Sequence, residues 1–364
     1  VVLISIIGDF HSSVFPIFYE FKELVSKHIV VHDDAFNEKF KNRETINTLN
    51  NFTKKYNLPI QTEEYNLDED SFASIMSLVD YIKSTVNNLE NLYINTTDGL
   101  ANIGLLLASN LLKDGVKLIS YDMYENSYNL TSNASIQTKK LDKKMSIKDH
   151  FFLKSLEVVA YEDKEFAHQY AHHIKELFQN YYDQFIFLKQ DVSRNSFINN
   201  NKYPQAMQLI NLMGLDIHIQ KKEITGGLFE LYTYLLIKDL GFDDIEIGVV
   251  IEDKFSQNTA IKNEFDLLLM KDNHLHMIEC KFQKVTDMQA LVYKYSSLIN
   301  LIDDDGRMII LTDRQPYSHN LYDHTTMGLE NYRRALANKI LIRGSIFKNR
   351  EKFIDDVKTH FNLY

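Results

Sequence analysis

Short apolar runs alternate with amphipathic stretches over roughly the first 145 residues of the chain. Val2 to Ile7, His28 to His32, Leu92 to Asn95 and Val116 to Tyr121 read as strands. Phe15 to Ser26, Phe36 to Tyr56, Ser71 to Asn88 and Leu100 to Lys113 carry apolar residues at helical spacing. That rhythm predicts an open, mostly parallel α/β sheet, a class whose ligands bind beyond the carboxyl ends of the strands. From 146 to about 222 the pattern turns helical: Glu162 to Lys189 is long and amphipathic, and Tyr203-Pro204 opens a shorter helix that stops at Gly214. With only 12 Gly and 4 Pro in the chain, this connector is expected to be ordered. The last part, 223–364, opens on a helix from Thr225 to Gly241 with Leu231, Tyr234, Leu235 and Lys238 at helical spacing, and continues into a hairpin.

The hairpin carries the candidate chemistry. Asn263-Glu264-Phe265-Asp266-Leu267-Leu268-Leu269-Met270 and Leu275-His276-Met277-Ile278-Glu279-Cys280-Lys281 flank Lys271-Asp272-Asn273-His274, whose Asp-Asn centre suits a two-residue turn. The antiparallel register set by that turn puts Asp266 opposite Glu279 and Glu264 opposite Lys281, all on one face because side chains alternate along a strand. Directly opposed carboxylates lie only about 5 Å apart at Cβ and repel unless a cation stands between them. A hard divalent ion such as Mg²⁺ takes oxygen ligands together with water and phosphate, and it lowers the pKa of bound water for attack on phosphorus. Lys281 is placed to orient that water or to stabilise charge growing on the phosphate. Acids that interrupt such apolar strands need a reason, although Glu264 and Lys281 alone would also fit a solvated cross-strand ion pair.

Glu230 falls in the first turn of the preceding helix, where the helix dipole favours an acid in any case. Beside the hairpin it is a candidate third carboxylate. Gln289 and Lys294, on an expected helix after the hairpin, are candidate phosphate contacts or ordinary exposed helix residues. His168, His172 and His173 lack a His-Glu-x-x-His arrangement, which disfavours a metal site there.

Asp266 followed by Glu279-x-Lys281 resembles the PD-(D/E)xK nucleases, with Phe265 where that family often has Pro. The wider set Gly226-Gly227-Leu228-Phe229-Glu230, Asn263-Glu264-Phe265-Asp266, His276-Met277-Ile278-Glu279-Cys280-Lys281, Tyr293-Lys294 and Arg307 to Thr312 resembles the nuclease half of the CARF-nuclease effectors of type III CRISPR systems. The resemblance is dense over 224–312 and reaches the rest through domain order and length. It implies three parts: an N-terminal Rossmann-like CARF domain, 1–145, that senses a cyclic oligoadenylate; a helical connector, 146–222; and a C-terminal restriction-endonuclease-like α/β domain, 223–364, that cuts nucleic acid. It further implies Asp266 and Glu279 as ligands of Mn²⁺ or Mg²⁺, the Cys280 main-chain carbonyl as another, Lys281 as the catalytic lysine and Glu230 as the helix acid.

Two strand ends in the front part carry polar, turn-forming residues. Gly8-Asp9-Phe10-His11-Ser12-Ser13 follows the first strand, and Asn95-Thr96-Thr97-Asp98-Gly99 follows a later one and opens a helix. Backbone N–H groups at a helix start suit phosphate, and the same residue types also serve as caps and turns. The CARF resemblance maps ligand binding onto these loops, which makes Gly8, Asp9, His11, Ser12, Ser13, Thr96, Thr97, Gly99 and Asn102 the candidates. Many relatives carry Thr-Gly-Gly-Thr-Lys where this chain has Thr97-Asp98-Gly99-Leu100-Ala101: the lysine is gone and an acid has entered. Cyclic tetra-adenylate bound across a two-fold homodimer is expected, since a ring of four identical units presents the same half to each subunit.

A length of 364 residues suits two domains and a connector. With 50 acidic and 40 basic side chains the net charge is -10, which disfavours long-range attraction to a polyanion. Arg333, Arg334, Lys339, Arg343, Lys348, Arg350 and Lys352, or Lys139, Lys140, Lys143, Lys144 and Lys148, are either local contacts for nucleic acid or ordinary solvated faces. Single-stranded DNA or RNA is the favoured substrate, with a duplex as the alternative. The lone cysteine, Cys280, allows no intrachain disulfide and fits a reducing cytoplasm. No export signal and no stretch near the roughly 18 apolar residues of a membrane span is visible, so a cytoplasmic location without membrane contact is expected. Two other readings compete: an ungated restriction- or repair-type endonuclease, which the altered Asp98 loop keeps open, and a catalytically silent nucleotide-sensing regulator, which the intact Asp266, Glu279 and Lys281 disfavour.

Overall fold

The computed structural model describes residues 1–8, 14–33, 39–68, 70–99, 101–162, 164–194, 198, 200–253, 263–282, 288–303, 305–312, 329–344, 346–347 and 349–363. They form two compact units, one built on Val1–Glu157 and the other on Val158–Glu252 with the described residues beyond 262.

The first unit runs β1 (Val2–Ile6), α1 (Val14–Phe21), β2 (Lys27–His32), α2 (Lys39–Lys55), β3 (Gln61–Asn66), α3 (Phe72–Thr85), β4 (Leu92–Asn95), α4 (Ala101–Leu111), β5 (Lys117–Asp122), β6 (Ser127–Thr131), β7 (Ile136–Lys140) and α5 (Ile147–Leu153). Its sheet has the order β3-β2-β1-β4-β5-β6-β7, parallel from β3 to β5 and antiparallel through β6 and β7. Alternation along β1 sends Leu3 into a core with Phe18 and Phe52 on one face, and Ile4 into a core with Ile75 and Leu107 on the other. The result is the expected doubly wound α/β sheet. Its strand order reverses between β1 and β4, and the crevice at such a switch point is where this architecture binds ligands. The apolar pattern misses β3, whose sequence Gln-Thr-Glu-Glu-Tyr-Asn is polar because it forms a sheet edge with partly exposed side chains.

The second unit runs β8 (Leu156–Ala160), α6 (Lys164–Gln169), α7 (Ala171–Asn180), α8 (Tyr182–Ser193), α9 (Pro204–Leu212), α10 (Leu228–Ile237), β9 (Asp244–Asp253), β10 (Asn263–Lys271), β11 (His274–Lys281), α11 (Met288–Ile302), β12 (Met308–Thr312), α12 (Leu329–Ala337), β13 (Ile340–Gly344) and α13 (Arg350–His360). Its sheet order is β13-β12-β11-β10-β9-β8. The stretch expected as one long helix is three, because Tyr170 and Tyr181 leave helical geometry at φ -106 and -124. Those turns let Phe178 of α7 meet Phe185 of α8 at 5.1 Å between ring centroids. Phe178 and Phe185 share one core with Phe229 and Tyr232 of α10, Leu267 of β10, Ile278 and Cys280 of β11 and Phe353 of α13. The connector helices are therefore packed into the body that carries the hairpin. Among the described residues, no helix is long and apolar enough to cross a membrane.

Candidate active site

Asp272 and Asn273 turn the β10–β11 hairpin with φ of 52 and 64, the left-handed pair that a two-residue turn of matching twist requires. The register follows as expected, with Lys271 opposite His274 and Leu267 opposite Ile278. Leu267–Ile278 is the last closed pair, one step short of Asp266 and Glu279. Beyond it the Asp266 carboxylate itself accepts the Cys280 N–H at 2.6 Å. A strand residue points its N–H and C=O to the same edge, so the Cys280 carbonyl also faces the open side beside Asp266. The Cys280 thiol points the other way into the core, 3.6 Å from the Thr233 hydroxyl of α10, and burial raises its pKa well above the ordinary thiol value.

Glu279 is 3% exposed, and its Oε1 takes the Lys281 ammonium while Oε2 has no hydrogen-bond partner. Burial alone would lower the Lys281 pKa, but the negative charges of Glu279 and Asp266 outweigh it and hold the ammonium protonated. Glu264 is exposed and pairs with Lys222 at 2.8 Å, so the cross-strand Glu264–Lys281 ion pair does not form. Gln289 and Lys294 lie exposed on α11. The residue of α11 that reaches the site is Tyr295, next in sequence to Lys294. It is 2% exposed, and burial, then the charge of Glu279 and a hydrogen bond toward it, push its phenol far above the usual range. Its position inside the buried helical face, with Val292 and Ile299, is the sequence signal that marks it as inward-facing.

Glu230 stands in the first turn of α10, entered through a π-helical turn at Glu223–Gly227. Such wide turns recur at functional sites. Burial, then the carboxylates of Asp266 and Glu162, raise the Glu230 pKa to about 8, against the opposing charge of Lys222. Asp266 rises to about 7, through burial and then Glu279, with Lys281 opposing. Glu162, which precedes α6, is a fourth acid at this place that the motifs do not mark. With Glu230 it lines a cavity of about 250 Å³ together with Lys222, Glu223 and Gly227.

The donor set fits a hard divalent ion. Three carboxylates gather at one hairpin end, one buried carboxylate oxygen is without a partner, and two of the acids are raised by burial and then by their neighbours' charge, the second of which a bound cation relieves. Among the described residues no three His, Cys, Asp or Glu groups are already arranged to hold a metal ion: Asp266 is turned onto Cys280 and Glu279 onto Lys281.

In the first unit, Asp9, His11, Ser12 and Ser13 lie outside the described residues. Gly8 donates its N–H to the Asp98 carboxylate at 3.0 Å, and a Cβ on Gly8 would fall 2.1 Å from the Asp98 carbonyl oxygen, so only glycine allows the two loops to approach. Gly99 sits against Ile6, where a Cβ would come within 2.9 Å. The Thr97 hydroxyl donates to Asn95 Oδ1 at 2.5 Å and accepts the Tyr121 N–H at 2.9 Å, and the Thr96 hydroxyl donates to the Ile119 carbonyl. Both threonines are thus engaged with Asn95 and the main chain of β5. Asn102 is exposed on the first turn of α4, with its side-chain oxygen on the Ile103 N–H.

Residues 218–320 match the family described as Card1-like, endonuclease domain. Over its whole length the chain has a fold similar to that of protein VC1899 from Vibrio cholerae, at 13% identity and a TM-score of 0.76, covering 100% of this chain and 98% of that one. It is similar as well to Can2 from Sulfobacillus thermosulfidooxidans, solved in complex with cyclic tetra-adenylate, at 15% identity and a TM-score of 0.69, covering 97% and 99%. A type III CRISPR defence DNA nuclease activated by cyclic oligoadenylate matches at 9% identity and a TM-score of 0.51, covering 93% of this chain and 51% of that one. No curated protein matches the sequence. The resemblance to CARF-nuclease effectors and the mixed α/β architecture it implied are borne out, the endonuclease-domain match falling within residues 218–320.

Proposed function

We propose that the chain is a metal-dependent nuclease whose cleavage is switched by a cyclic oligoadenylate in antiviral defence. The observation that carries the catalytic part is the meeting of Asp266, Glu279 and Lys281 at the open end of one hairpin, inside the endonuclease match. Asp266, Glu279, Glu230 and the Cys280 carbonyl would hold Mn²⁺ or Mg²⁺, which when bound supplies positive charge against the phosphate and a more acidic water. Lys281 stays protonated between Glu279 and Asp266 and donates to a non-bridging phosphate oxygen, where its charge counts most as the transition state gains negative charge. Tyr295 walls the Glu279 side of the pair and limits the ways Lys281 can turn.

The gating part is supported by the polar loops after β1 and β4, which flank the strand-order reversal. Two copies of that crevice around one cyclic tetra-adenylate would give a homodimeric sensor. One observation favours an ungated nuclease instead: the Asp98 carboxylate occupies the Gly8 N–H, and the Thr96 and Thr97 hydroxyls are spent on main-chain and Asn95 partners. Cleavage of labelled single- and double-stranded DNA and RNA with Mn²⁺ or Mg²⁺, with and without a panel of cyclic oligoadenylates, separates the two. Ligand-dependent cleavage supports the first reading, full cleavage without ligand the second, and no cleavage with either metal removes both.

A further inference from the structure

Glu162 lies upstream of the residues 218–320 that match the endonuclease family, yet it is built into the same site. Its main-chain N–H donates to the Ile247 carbonyl at 2.8 Å, which fixes it along β9. The next residue of β9, Gly248, has φ +58, and a Cβ there would stand 2.4 Å from Glu162 Cγ and 2.8 Å from Cδ. Any side chain would collide with the Glu162 stem, so glycine leaves a notch that Glu162 fills. Gly248 falls between the Val249–Phe265 and Ile247–Leu267 pairs, which places the notch directly across from Asp266. Glu162 and Glu230 line one cavity, and Lys222, the cation beside them, is 75% exposed and bonded to Glu264. Two acids held together this way are unfavourable in the metal-free protein unless their field serves a cation.

We infer that Glu162 is a positioning residue of the nuclease site: seated by the Gly248 notch, its charge acts through Glu230 and Asp266 to raise the affinity of the site for its divalent ion. This rests on the metal-dependent nuclease reading. Outer carboxylates of metal sites orient the ligating groups and add attraction without touching the ion. A purely structural Glu162 would work through its main-chain N–H and its aliphatic stem, and Glu162→Gln retains both.

The test is direct Mn²⁺ binding to the full-length protein by calorimetry, with a Mn²⁺ titration of cleavage alongside. Glu162→Gln is expected to weaken Mn²⁺ binding about tenfold, at the lower end of what loss of an outer-sphere partner does, and to raise the half-saturating Mn²⁺ by the same factor. Rate at saturating Mn²⁺ should stay within about twofold, since the groups on the phosphate are intact. Glu162→Asp should recover most of the affinity because it keeps the charge. Gly248→Ala, which pushes the Glu162 side chain out of the notch, should weaken binding in the same direction. Unchanged Mn²⁺ affinity in Glu162→Gln while Glu279→Gln loses binding overturns the inference and leaves the nuclease reading in place. Unchanged affinity in both overturns the metal-dependent reading itself.

Discussion

The Asp266 carboxylate accepts the Cys280 N–H at 2.6 Å and so takes over the hairpin ladder just where its own main chain leaves it. An amide of the same shape can keep that hydrogen bond while losing the charge. Asp266→Asn, Glu279→Gln and Lys281→Ala are each expected to lower metal-dependent cleavage at least about 100-fold, the scale of losing one charge-stabilising group. Circular dichroism and melting temperature should show the fold retained. Full activity in Glu279→Gln would remove the site assignment.

Tyr295 touches the same pair from α11. Removing its hydroxyl leaves Glu279 and Lys281 in place but less constrained, so Tyr295→Phe should reduce kcat about tenfold, as loss of an outer-sphere partner does. KM for the nucleic acid should stay near that of the native protein. A change confined to KM would assign Tyr295 to substrate binding instead.

Glu230 and Glu264 differ in setting: one is half-buried among acids and the other is exposed and paired with Lys222. Glu230→Gln should weaken cleavage and raise the metal concentration needed. Glu264→Gln should have a milder effect, because a surface ion pair contributes only about 0–1 kcal/mol. Equal or reversed effects in a Mn²⁺ titration would show that Glu230 is not the third acid.

The hairpin was legible because it is local: the Asp272-Asn273 turn fixes the register, and the register fixes which side chains share a face. The same holds for β1, β2 and β4, whose burial on both faces leaves near-continuous apolar runs. Helical spacing marks Tyr295 as inward-facing, but that it and Glu162 belong to the site was not legible, since each reaches it through contacts distant in sequence and neither belongs to a motif. The breaks at Tyr170 and Tyr181 were hidden for a related reason. No Gly or Pro marks them, and tertiary packing of Phe178 on Phe185 decides where the helices turn. The loss of the lysine at Ala101 and the entry of an acid at Asp98 were visible, but the partner of Asp98, Gly8, lies 90 residues away.

His28 is fully buried, stacked on Phe18 at 5.2 Å and bonded through Nε2 to Ser5 at 2.9 Å, and burial lowers its pKa to about 3. The unfolded chain takes up this proton near the ordinary histidine value of about 6.5, whereas the folded chain does so only near 3. A depressed histidine therefore leaves stability intact above about 6.5 and removes it as pH falls, by about 1.4 kcal/mol per pH unit. Amide exchange of β1 and β2 should accelerate progressively between pH 6.5 and 4.5 after correction for intrinsic exchange. His28→Gln, which has no such titration, should flatten that slope; an unchanged slope would place the acid sensitivity elsewhere.

Asp98 bears on control, because its carboxylate holds the Gly8 N–H at the crevice where the two strand-end loops meet. If a cyclic tetra-adenylate binds there, its phosphates meet that negative charge. Asp98→Asn keeps an acceptor for Gly8 and deletes the charge, so it should tighten binding of the ring by about tenfold, equivalent to about 1.4 kcal/mol. Calorimetry should give one ring per two chains, as a two-fold dimer around a ring of four units requires. Activation needs the ligand to favour the active arrangement, and a tenfold rise in that population from a small base takes about 1.4 kcal/mol of differential binding. A gated enzyme should then reach half-maximal cleavage at lower ligand concentration in Asp98→Asn than in the native chain. Absence of binding by any cyclic oligoadenylate in both proteins, with cleavage at full rate without one, would establish the ungated nuclease and make the Asp98–Gly8 contact a purely structural clasp between the two loops.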